Sequence, residues 1–553
     1  MQTPAACRIE RTVSGVAALL ADDPKCLWVV VGAMGAPANS LIELERDYPG
    51  RELSRSLTQG ERVAASRHAS EFFGIAERGD PDLRLNLSAR VPLAIPDWDD
   101  VQQIFRLRAL REHRPDLPVA VWLADPTMEP MLAESGLSSG VPWPGRAIAR
   151  AARAVLRCLL NSVPALPAGG RLWFTLGRSL GATGSDTYFG DWWRGAPGQN
   201  MRIYLAAGRR LRFERNPGEA PVEACGRVID VLGAMCDCWR APSSPPTLAK
   251  GTDRALWRWL AQREWSSGDM FALAFLRRVF ARLLKQQAAA SVVVPFEGRS
   301  WERTLIRQAH RQGIPVVGYQ HSSLTPRHLA LLEIGSGWCR ADLPDRVVTC
   351  GEVTAERLLA MAGECRTELV VGTAVRANRQ PLPPPGNALL VAISSSRGES
   401  RALLQFVHGA VERLQMPVII RPHPTIPIAD LFGEFSWPSS VKVSAGRSLA
   451  QDMAEARCVA YSSSTVALEG LIHGRLPVFL DICDVLSGDP IDDGEFKLRA
   501  ANPDELVICL KDVQTWSVDR LDRARGLGLA YVERYLAQPN AERLNRMTSA
   551  LLP

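Results

Sequence analysis

The chain has 553 residues, of which 46% are hydrophobic and 22% are charged, and its formal net charge is +6. These are ordinary values for a soluble globular protein, and the length exceeds what one hydrophobic core organises, so two main domains are expected. The positive charge is mild and is spread along the chain rather than gathered into a basic stripe. This argues against a nucleic-acid partner and is compatible with an anionic substrate or a membrane surface.

The twelve cysteines lack the spacing of a metal site. Cys236 and Cys238 form a Cys-x-Cys pair, and no second pair completes a zinc site. We therefore expect reduced thiols, as in the cytosol. The sequence has no signal-peptide pattern and no apolar run near the roughly 20 residues that cross a bilayer. A cytoplasmic protein is expected, with room for peripheral membrane contact.

The first predicted elements are buried strands at 26–31 and 118–123. Residues 146–162 follow, with apolar positions at helical spacing and arginines on the other face. This pattern predicts an amphipathic helix at the protein surface rather than a helix that spans a membrane.

A strand at 172–176 runs into a polar loop that contains acids and aromatic rings. These residues are Asp186, Tyr188, Asp191, Trp192 and Trp193. Acids and aromatic rings at a strand end are suited to contact a sugar, and aromatic rings in such a loop are also ordinary packing residues. Both interpretations stay open from the sequence. Residues 252–289 are then helical by pattern.

Residues 292–319 have the pattern of a β–α–β unit. A strand is followed by a helix predicted to begin at Glu297, and a second strand ends just before His321. Because a right-handed crossover makes the two strands parallel neighbours, the residues that follow them lie at one edge of the sheet. Glu297 and His321 are therefore expected to face the same crevice. A second unit of this kind follows over 346–372.

The segment 379–387 (RQPLPPPGN) is the clearest linker in the chain. It separates a predicted N-terminal domain, 1–378, from a predicted C-terminal domain, 388–553. After the linker, strands and helices alternate, which indicates a doubly wound parallel sheet. The predicted fold class is therefore α/β.

The C-terminal domain holds the most informative motif. One strand ends in Arg421-Pro422-His423-Pro424, and about forty residues later another ends in Ser462-Ser463-Ser464-Thr465, before a helix that carries Glu469. In open parallel sheets, ligands bind at the carboxyl ends of the strands. Hydroxyl groups and the N–H groups at the start of a helix suit a phosphate, which predicts a phosphate-containing ligand.

These features resemble a GT-B glycosyltransferase: two Rossmann-like halves, a Pro-rich linker, and the segment SSSTVALEGLIHGRLP at 462–477. The His423-Pro424 pair and the serine run resemble the HP and SS motifs of bacterial sialyltransferases and of capsule and lipopolysaccharide Kdo transferases, which use CMP-activated sugars. Residues 297–326 resemble a bacterial surface-carbohydrate biosynthesis family of the same superfamily. The resemblance covers roughly 290–480. It implies two doubly wound Rossmann-like domains that face a central cleft.

The resemblance also implies a donor site in the C-terminal domain. His423, next to Pro424, would contact the nucleotide near its phosphate or base, and Glu469 would bind the ribose hydroxyls. The phosphate would be held by the serine run and the following amides, with added positive charge from two arginines. The phosphate-site residues are Arg397, Arg421, Ser462, Ser463, Ser464 and Thr465, and Ser395 is a further donor-binding candidate. No separate cofactor is expected, because the CMP-sugar is itself the donor substrate. No metal is expected either, in agreement with the absence of an Asp-x-Asp motif from the C-terminal half.

Glycosyl transfer needs a base for the acceptor hydroxyl or a nucleophile. The carboxylate candidates are Glu297, Asp186 and Asp191, and His321 is the neighbouring imidazole. Glu297 has the best predicted placement, at a strand end beside His321. Structural alternatives remain for both: Glu297 as an acid at a helix N-terminus, and His321 as a hydrogen-bonding residue.

The sequence and its resemblance together predict a metal-independent glycosyltransferase in the cytoplasm or at the inner face of the cytoplasmic membrane. It would move a Kdo- or nonulosonic-acid-type sugar from a CMP-sugar to a cell-surface glycan or lipid-linked glycan acceptor. Four alternatives stay open. They are a GT-B enzyme that uses a UDP- or GDP-sugar, a polyol-phosphate transferase, a sugar-nucleotide epimerase, and a non-catalytic GT-B scaffold.

Overall fold

The computed structural model of the chain describes residues 8–32, 38–76, 98–125, 128, 132, 145–161, 169–177, 186–205, 218–240, 251–287, 289–328, 331, 343–362, 367–377, 379, 381–424, 426, 428–482 and 485–551. Within these residues the strands form three sheets, and every pair of neighbouring strands is parallel. Helices alternate with the strands along the chain. The predicted α/β fold class with doubly wound parallel sheets is confirmed.

The strands are β1 (Arg8–Glu10), β2 (Leu27–Val31), β3 (Val119–Leu123), β4 (Arg171–Leu176), β5 (Asn200–Leu205), β6 (Glu219–Pro221), β7 (Ser291–Pro295), β8 (Val316–Gln320), β9 (Arg346–Thr349), β10 (Glu368–Val371), β11 (Ala388–Ala392), β12 (Val418–Arg421), β13 (Val441–Val443), β14 (Ala456–Tyr461), β15 (Leu476–Leu480) and β16 (Leu498–Ala500). The central strands are buried apolar runs, as expected for parallel strands that are covered on both faces.

The helices are α1 (Val13–Asp22), α2 (Ala38–Asp47), α3 (Leu53–Ser56), α4 (Gln59–Ala76), α5 (Trp98–His113), α6 (Gly145–Leu160), α7 (Trp192–Gly195), α8 (Val228–Arg240), α9 (Gly251–Ser267), α10 (Asp269–Gln287), α11 (Ser300–His310), α12 (Glu352–Ala362), α13 (Arg397–Val411), α14 (Ile428–Phe432), α15 (Leu449–Glu455), α16 (Val466–Ile472), α17 (Pro503–Thr515), α18 (Val518–Tyr535) and α19 (Ala541–Ser549). Among the described helices, none is long and apolar enough to cross a membrane.

The seven-stranded sheet has the order β10-β9-β8-β7-β4-β5-β6. The chain winds outward from β4 through β5 and β6, then returns to the other side of β4 and winds outward again from β7. The direction therefore reverses between β4 and β7. In doubly wound sheets a crevice opens at the carboxyl ends of the strands at such a point, so the segments after β4 and β7 are expected to line it.

The six-stranded sheet has the order β13-β12-β11-β14-β15-β16, so its direction reverses between β11 and β14. Register aligns the strand ends: Ala392 lies opposite Arg421, and Val391 lies opposite Ala460. The loops that follow β11, β12 and β14 therefore begin at similar heights along one edge. This edge carries the histidine and serine motifs of the sequence.

Each of these two sheets has apolar residues on both faces. In the seven-stranded sheet, Phe174 and Val294 pack with α6, α8, α10 and α11 on one face. Trp173 and Val293 belong to a second cluster on the other face. This alternation along β4 and β7 is the two-residue period of a strand, and it buries the centre of the sheet on both sides.

The third sheet is small and has the order β1-β3-β2. Its core includes α4, α5 and α9, and the ring of Trp257 from α9 stacks on Phe72 from α4 at 4.7 Å. Since α9 also precedes α10 of the seven-stranded sheet, it ties the small sheet to the larger one.

Two predicted helices differ in their bounds. The segment predicted as one helix over 252–289 is divided into α9 and α10 at Gly268, whose φ of 77° is a left-handed conformation that a glycine adopts without a Cβ clash. The helix predicted from Glu297 begins at Ser300, so Glu297 lies in the loop before it. This loop position matters for the candidate site.

The C-terminal residues return to the seven-stranded sheet. The N–H of Ala374 donates to the carbonyl of Ala537 at 2.9 Å, and the N–H of Ala537 donates to the carbonyl of Cys350 at 2.8 Å. Beyond this point α19 packs on β10, and the Arg171 guanidinium donates to the carbonyl of Leu551 at 3.1 Å. The division into 1–378 and 388–553 stays a prediction.

Candidate active site

A buried polar cluster lies beside the reversal point of the seven-stranded sheet, and we call it the N-terminal cluster. It contains Glu297 after β7, His321 after β8, Tyr188 from the segment after β4, and Arg299 at the start of α11. The Glu297 Oε1 atom is 3.4 Å from His321 Nε2, and their side chains are 13% and 4% exposed. The predicted proximity of Glu297 and His321 is therefore confirmed, whereas their catalytic roles stay predictions.

Glu297 is held as an anion. Burial by itself raises the pKa of this carboxyl, but the adjacent guanidinium of Arg299, together with His321, His328 and the Ser322 hydroxyl, outweighs that effect and the net shift is downward. The alternative role for Glu297, capping the N-terminus of α11, is filled by Glu302. One carboxylate oxygen of Glu302 accepts from the backbone N–H of Glu297 at 2.9 Å and from that of Arg299 at 3.0 Å.

Glu302 is a member of the cluster that the sequence analysis missed. Its side chain is completely buried, and burial together with the negative charge of Glu297 raises the pKa of its carboxyl. The two neighbouring carboxyls thus differ in charge state, because Arg299 pairs with Glu297, whereas on Glu302 its effect is smaller than that of burial and of the Glu297 charge. A signal was present in the sequence, since an acid three residues after Arg299 has capping-box spacing.

His321 is an uncharged imidazole. Burial lowers its pKa to about 4, against the opposing effect of Glu297. Its Nε2 faces Glu297, and its Nδ1 is buried with no hydrogen-bond partner among the described residues. The ring of Tyr188 packs edge-on against the imidazole at 4.7 Å. A neutral imidazole with one nitrogen near a carboxylate and the other unused has the arrangement of a general base.

Asp186 has a different setting. Its Oδ2 atom is 2.5 Å from Arg202 Nε, and both side chains are completely buried. Its Oδ1 atom accepts from the N–H groups of Tyr188 and Phe189 at 2.7 and 2.9 Å. Both carboxylate oxygens are therefore engaged, and this geometry favours a structural role in the turn over the predicted role of a base.

Asp191 and the two tryptophans of this loop are not members of the N-terminal cluster. Asp191 is 72% exposed and lies 3.6 Å from Arg194. Trp192 and Trp193 are buried, and Trp192 contacts the ring of Tyr319 at 5.5 Å. The packing interpretation therefore holds for these tryptophans, and Tyr188 is the aromatic residue of the loop that touches the N-terminal cluster.

The C-terminal motif residues lie on three loops at the reversal point of the six-stranded sheet, and we call these the C-terminal loops. They are 394–398 after β11, 422–424 after β12 and 462–465 after β14. The topology thus gathers the predicted donor residues at one sheet edge, while their roles stay predictions.

Ser462 anchors its loop. The hydroxyl is buried and donates to Glu399, which in turn accepts from the Arg327 guanidinium at 2.8 Å. Burial would raise the pKa of Glu399, but the charge and hydrogen bond of Arg327, together with the hydroxyls of Ser462 and Ser463, outweigh it and the pKa is lowered. Since Ser462 already has an acceptor, this hydroxyl is committed to the protein rather than open to a ligand. Arg327 and Glu399 were not identified from the sequence.

The next three residues have unused donors. The backbone N–H groups of Ser463, Ser464 and Thr465 donate no hydrogen bond within the described chain, and these residues are half-buried or exposed. Successive free N–H groups form an anion-binding concavity. Glu469 lies one turn further along α16, partly buried. This geometry is compatible with a phosphate at the loop and hydroxyl groups near Glu469.

Arg421 is the last residue of β12, and His423 lies in the loop that follows. The Arg421 guanidinium donates to the buried carboxylate of Asp452 at 2.6 Å, which fixes its direction. His423 is half-buried, and burial lowers its pKa. Pro424, which follows it, is exposed.

Ser395 and Arg397 are exposed at the loop after β11. The neighbouring N-terminus of α13 already has an anion. The carboxylate of Asp99 accepts from the N–H of Gly398 at 3.1 Å and from the Ser396 hydroxyl at 3.1 Å. Asp99 belongs to α5, so this contact joins the helices of the small sheet to α13 of the six-stranded sheet.

Arg376, in the loop after β10, links the two regions electrostatically. Its guanidinium is 5.6 Å from the centroid of the Tyr188 ring. Burial raises the pKa of Glu469, and the charge of Arg376, followed by that of Arg421, opposes the rise. The same guanidinium adds to the lowering of the His321 pKa, for which burial is the main cause. Arg376 therefore lies between the N-terminal cluster and the C-terminal loops.

No cluster of three or more His, Cys, Asp or Glu side chains suited to a metal ion is present in the described ranges. Whether the reaction needs a metal ion is a different question, and the predicted metal independence stays a prediction.

Neither a protein-family model nor a curated protein matches the sequence. Among solved structures, the chain is similar to HepE of Anabaena in complex with UDP and glucose, at 11% identity and a TM-score of 0.41 over 69% of this chain and 98% of that one. It is also similar to Os79 of O. sativa in complex with UDP and deoxynivalenol-3-glucoside, at 11% identity and a TM-score of 0.42 over 69% and 100% of the two chains. A third similar structure is the UDP-GlcNAc 2-epimerase of Methanocaldococcus jannaschii, at 12% identity and a TM-score of 0.40 over 69% and 99%.

Proposed function

We propose that the chain is a glycosyltransferase that uses a nucleotide-sugar donor. The main supporting observation is that Arg376 lies between the N-terminal cluster and the C-terminal loops. Each of these sites lies at the carboxyl ends of the strands of one sheet, and the two differ in chemistry. One site has the Glu297–His321 pair, which is suited to remove a proton. The other has the free N–H groups of Ser463 to Thr465, which are suited to hold a phosphate. Glycosyl transfer requires these two capacities on either side of one sugar.

On the acceptor side, His321 acts as the base and Glu297 orients it. In the bound state Nδ1 takes the proton of the acceptor hydroxyl as that oxygen attacks the anomeric carbon, while Nε2 donates to Glu297. The anionic Glu297 stabilises the imidazolium that forms. The 3.4 Å separation is longer than a hydrogen bond, and such contacts commonly tighten in the complex.

On the donor side, the bond between the anomeric carbon and the phosphate breaks and negative charge develops on the phosphate. The N–H groups of Ser463, Ser464 and Thr465 and the charge of Arg376 stabilise the leaving group. His423 borders this site after β12, and Glu469 binds the ribose hydroxyls. The predicted domains 1–378 and 388–553 supply the acceptor and donor sides.

The finer proposal is that the donor is a CMP-activated Kdo- or nonulosonic-acid-type sugar. The acceptor is then a cell-surface glycan or a lipid-linked glycan, and the reaction takes place at the cytoplasmic side of the membrane. Support comes from the resemblance of His423-Pro424 and the serine run to the HP and SS motifs. The reaction needs no metal in this proposal, since the N–H groups and arginines stabilise the phosphate.

A thermal-shift titration with CMP, CDP, UDP and GDP, without added metal, tests the donor class. Selective stabilisation by CMP is expected, and at a concentration 100 times the dissociation constant it amounts to about 2.7 kcal/mol. A preference for UDP or GDP would overturn the CMP proposal while keeping the glycosyltransferase. If none of these nucleotides stabilises the protein, the scaffold alternative gains support.

The donor-site assignment is tested by His423→Ala, with His473→Ala as the matched control. Both histidines are half-buried in the C-terminal domain, but His473 lies at the far end of α16 from the serine loop. We expect transfer to fall by ten- to a thousand-fold in His423→Ala, the range for loss of a charge-stabilising donor. His473→Ala is expected to keep its turnover. Equal activity of the two variants would contradict the assignment.

A further inference from the structure

The outer face of α6 and α8 has an unusual share of the exposed apolar side chains. Of the thirteen large hydrophobic side chains that are exposed in the described residues, seven lie on these two helices. They are Ile148, Leu156, Leu159 and Leu160 on α6, and Ile229, Leu232 and Met235 on α8. Both helices pack against each other and bury their inner residues in the same core of the seven-stranded sheet. The exposed residues of the two helices therefore lie together on one outer side of the molecule.

The same helical layer is strongly positive. The segments 145–160, 222–240 and 269–287 contain ten Lys and Arg residues and four Asp and Glu residues. Their formal charge of +6 equals that of the whole chain, so the remainder of the protein is formally neutral. A surface that is both apolar and positive is complementary to an anionic, apolar partner.

A cavity of about 420 Å³ opens on this side between α6 and α10. One wall has Arg150, Arg153 and Arg157, and the other is apolar and includes Phe271 and Phe275. Arg150 is 2.6 Å from Asp269, and Arg157 is 3.3 Å from Glu223. Arg153 has no ion-pair partner among the described residues. The cavity thus offers a guanidinium for a phosphate and an aromatic wall for a hydrocarbon chain.

We propose that the surface of α6, α8 and α10 docks on an anionic phospholipid bilayer, with a lipid phosphate at Arg153. Leu156, Leu159 and Ile229 enter the interface between headgroups and acyl chains. A second copy of the chain is a poorer occupant, because a symmetric contact would bring two surfaces of equal positive charge together. The inference does not depend on the proposed function, since a surface of this kind recruits any protein to a membrane.

Co-sedimentation of the full chain with vesicles tests the proposal. One set contains phosphatidylcholine alone and the other contains added phosphatidylglycerol. We expect binding to the anionic vesicles that weakens with salt, and weak binding to the neutral ones. Leu156→Ser combined with Leu159→Ser should lower the vesicle affinity by about tenfold or more. Arg153→Gln should lower it by about fivefold.

The matched controls are Ile508→Ser combined with Val518→Ser, and Lys511→Gln, all at exposed positions on α17 or α18. They should keep wild-type binding, and all variants should keep their Tm. No binding to anionic vesicles, or equal loss in the controls, would overturn the proposal. The proposal is also wrong if the protein is a dimer and the leucine substitutions convert it to a monomer. Binding of inorganic phosphate, or of an acidic protein, with no vesicle binding contradicts it as well.

Discussion

At the scale of single residues, the N-terminal cluster shows how neighbouring groups set one another's charge. Glu297 is ionised because Arg299 lies beside it, whereas burial and the charge of Glu297 keep a proton on Glu302. Burial also keeps His321 neutral. An ionised carboxylate next to a neutral imidazole is the charge state in which the imidazole accepts a proton.

The roles of His321 and Glu297 are separated by comparing His321→Asn with Glu297→Gln. His321→Asn should lower kcat by about a hundred- to ten-thousand-fold, the usual contribution of a general base, while nucleotide binding is kept. Glu297→Gln should lower transfer and also move the acidic limb of the pH profile to lower pH, because it removes the charge that opposes the lowering of the His321 pKa. An unchanged acidic limb, or full turnover in His321→Asn, would rule out this pair.

The pH dependence of stability follows from the same histidine. Its pKa is about 4 in the folded chain, below the value of roughly 6.5 for an unfolded histidine. The unfolded state therefore binds more protons between these values, and the contribution to stability is present above about pH 6.5 and is lost as pH falls towards 4. The full loss is about 3 kcal/mol. Denaturant unfolding of wild type and of His321→Asn across this pH range measures the effect. The free energy of unfolding should decrease less in the variant as pH falls, and an equal decrease in both proteins would contradict the prediction.

At the scale of elements, the loop between β4 and β5 is held by one buried ion pair. Asp186 joins the turn N–H groups to Arg202 on β5, and so fixes the segment that presents Tyr188 to His321. The loop is therefore shaped by a charge that has no contact with solvent. A buried pair of this kind becomes costly when one partner is removed, because the other charge stays in the interior.

Asp186→Ala should thus lower the free energy of unfolding by about 3 kcal/mol. The loss lies at the low end for a broken buried pair because Glu219 is also 3.5 Å from Arg202. Asp191→Ala, at an exposed site of the same loop, should change stability by less than about 0.5 kcal/mol. Denaturant unfolding measures both. If Asp186→Ala loses transfer activity while its free energy of unfolding is unchanged, Asp186 becomes a candidate for the base again.

At the scale of the whole molecule, charged contacts join the two large sheets. Arg327 follows β8 of the seven-stranded sheet, and it reaches Glu399 on α13 and the carbonyl of Leu486 at 3.1 Å. Through Glu399 it also positions Ser462 at the start of the serine loop. The relative position of the sheets and the shape of that loop therefore depend on the same buried pair.

Arg327→Met should destabilise the chain by about 3–5 kcal/mol, because Glu399 is left buried and unpaired. The double variant Arg327→Met with Glu399→Gln should recover part of the loss. A double-mutant cycle on the unfolding free energy measures this coupling. Additive effects of the two substitutions would show that the pair is not coupled.

Much of this organisation was predictable because parallel strands follow simple rules. The crossover after β7 brings Glu297 and His321 to one edge, and the serine and histidine loops follow adjacent strands. The roles of Arg376, Arg327 and Glu399 were not predictable. These residues contact elements of different sheets, and the spacing of residues along the sequence does not indicate such contacts. The division at Gly268 was missed because an apolar helical pattern continues on both sides of it.

The return of the C-terminal residues to the seven-stranded sheet has a consequence for biosynthesis. Residues 537–551, which pack against β10 and one face of this sheet, are synthesised after all seven of its strands. The strands can therefore associate on the ribosome before the residues that complete this face have been made. A chain cut short before Ala537 leaves the face uncovered, and we expect such a chain to be recognised by chaperones and proteases.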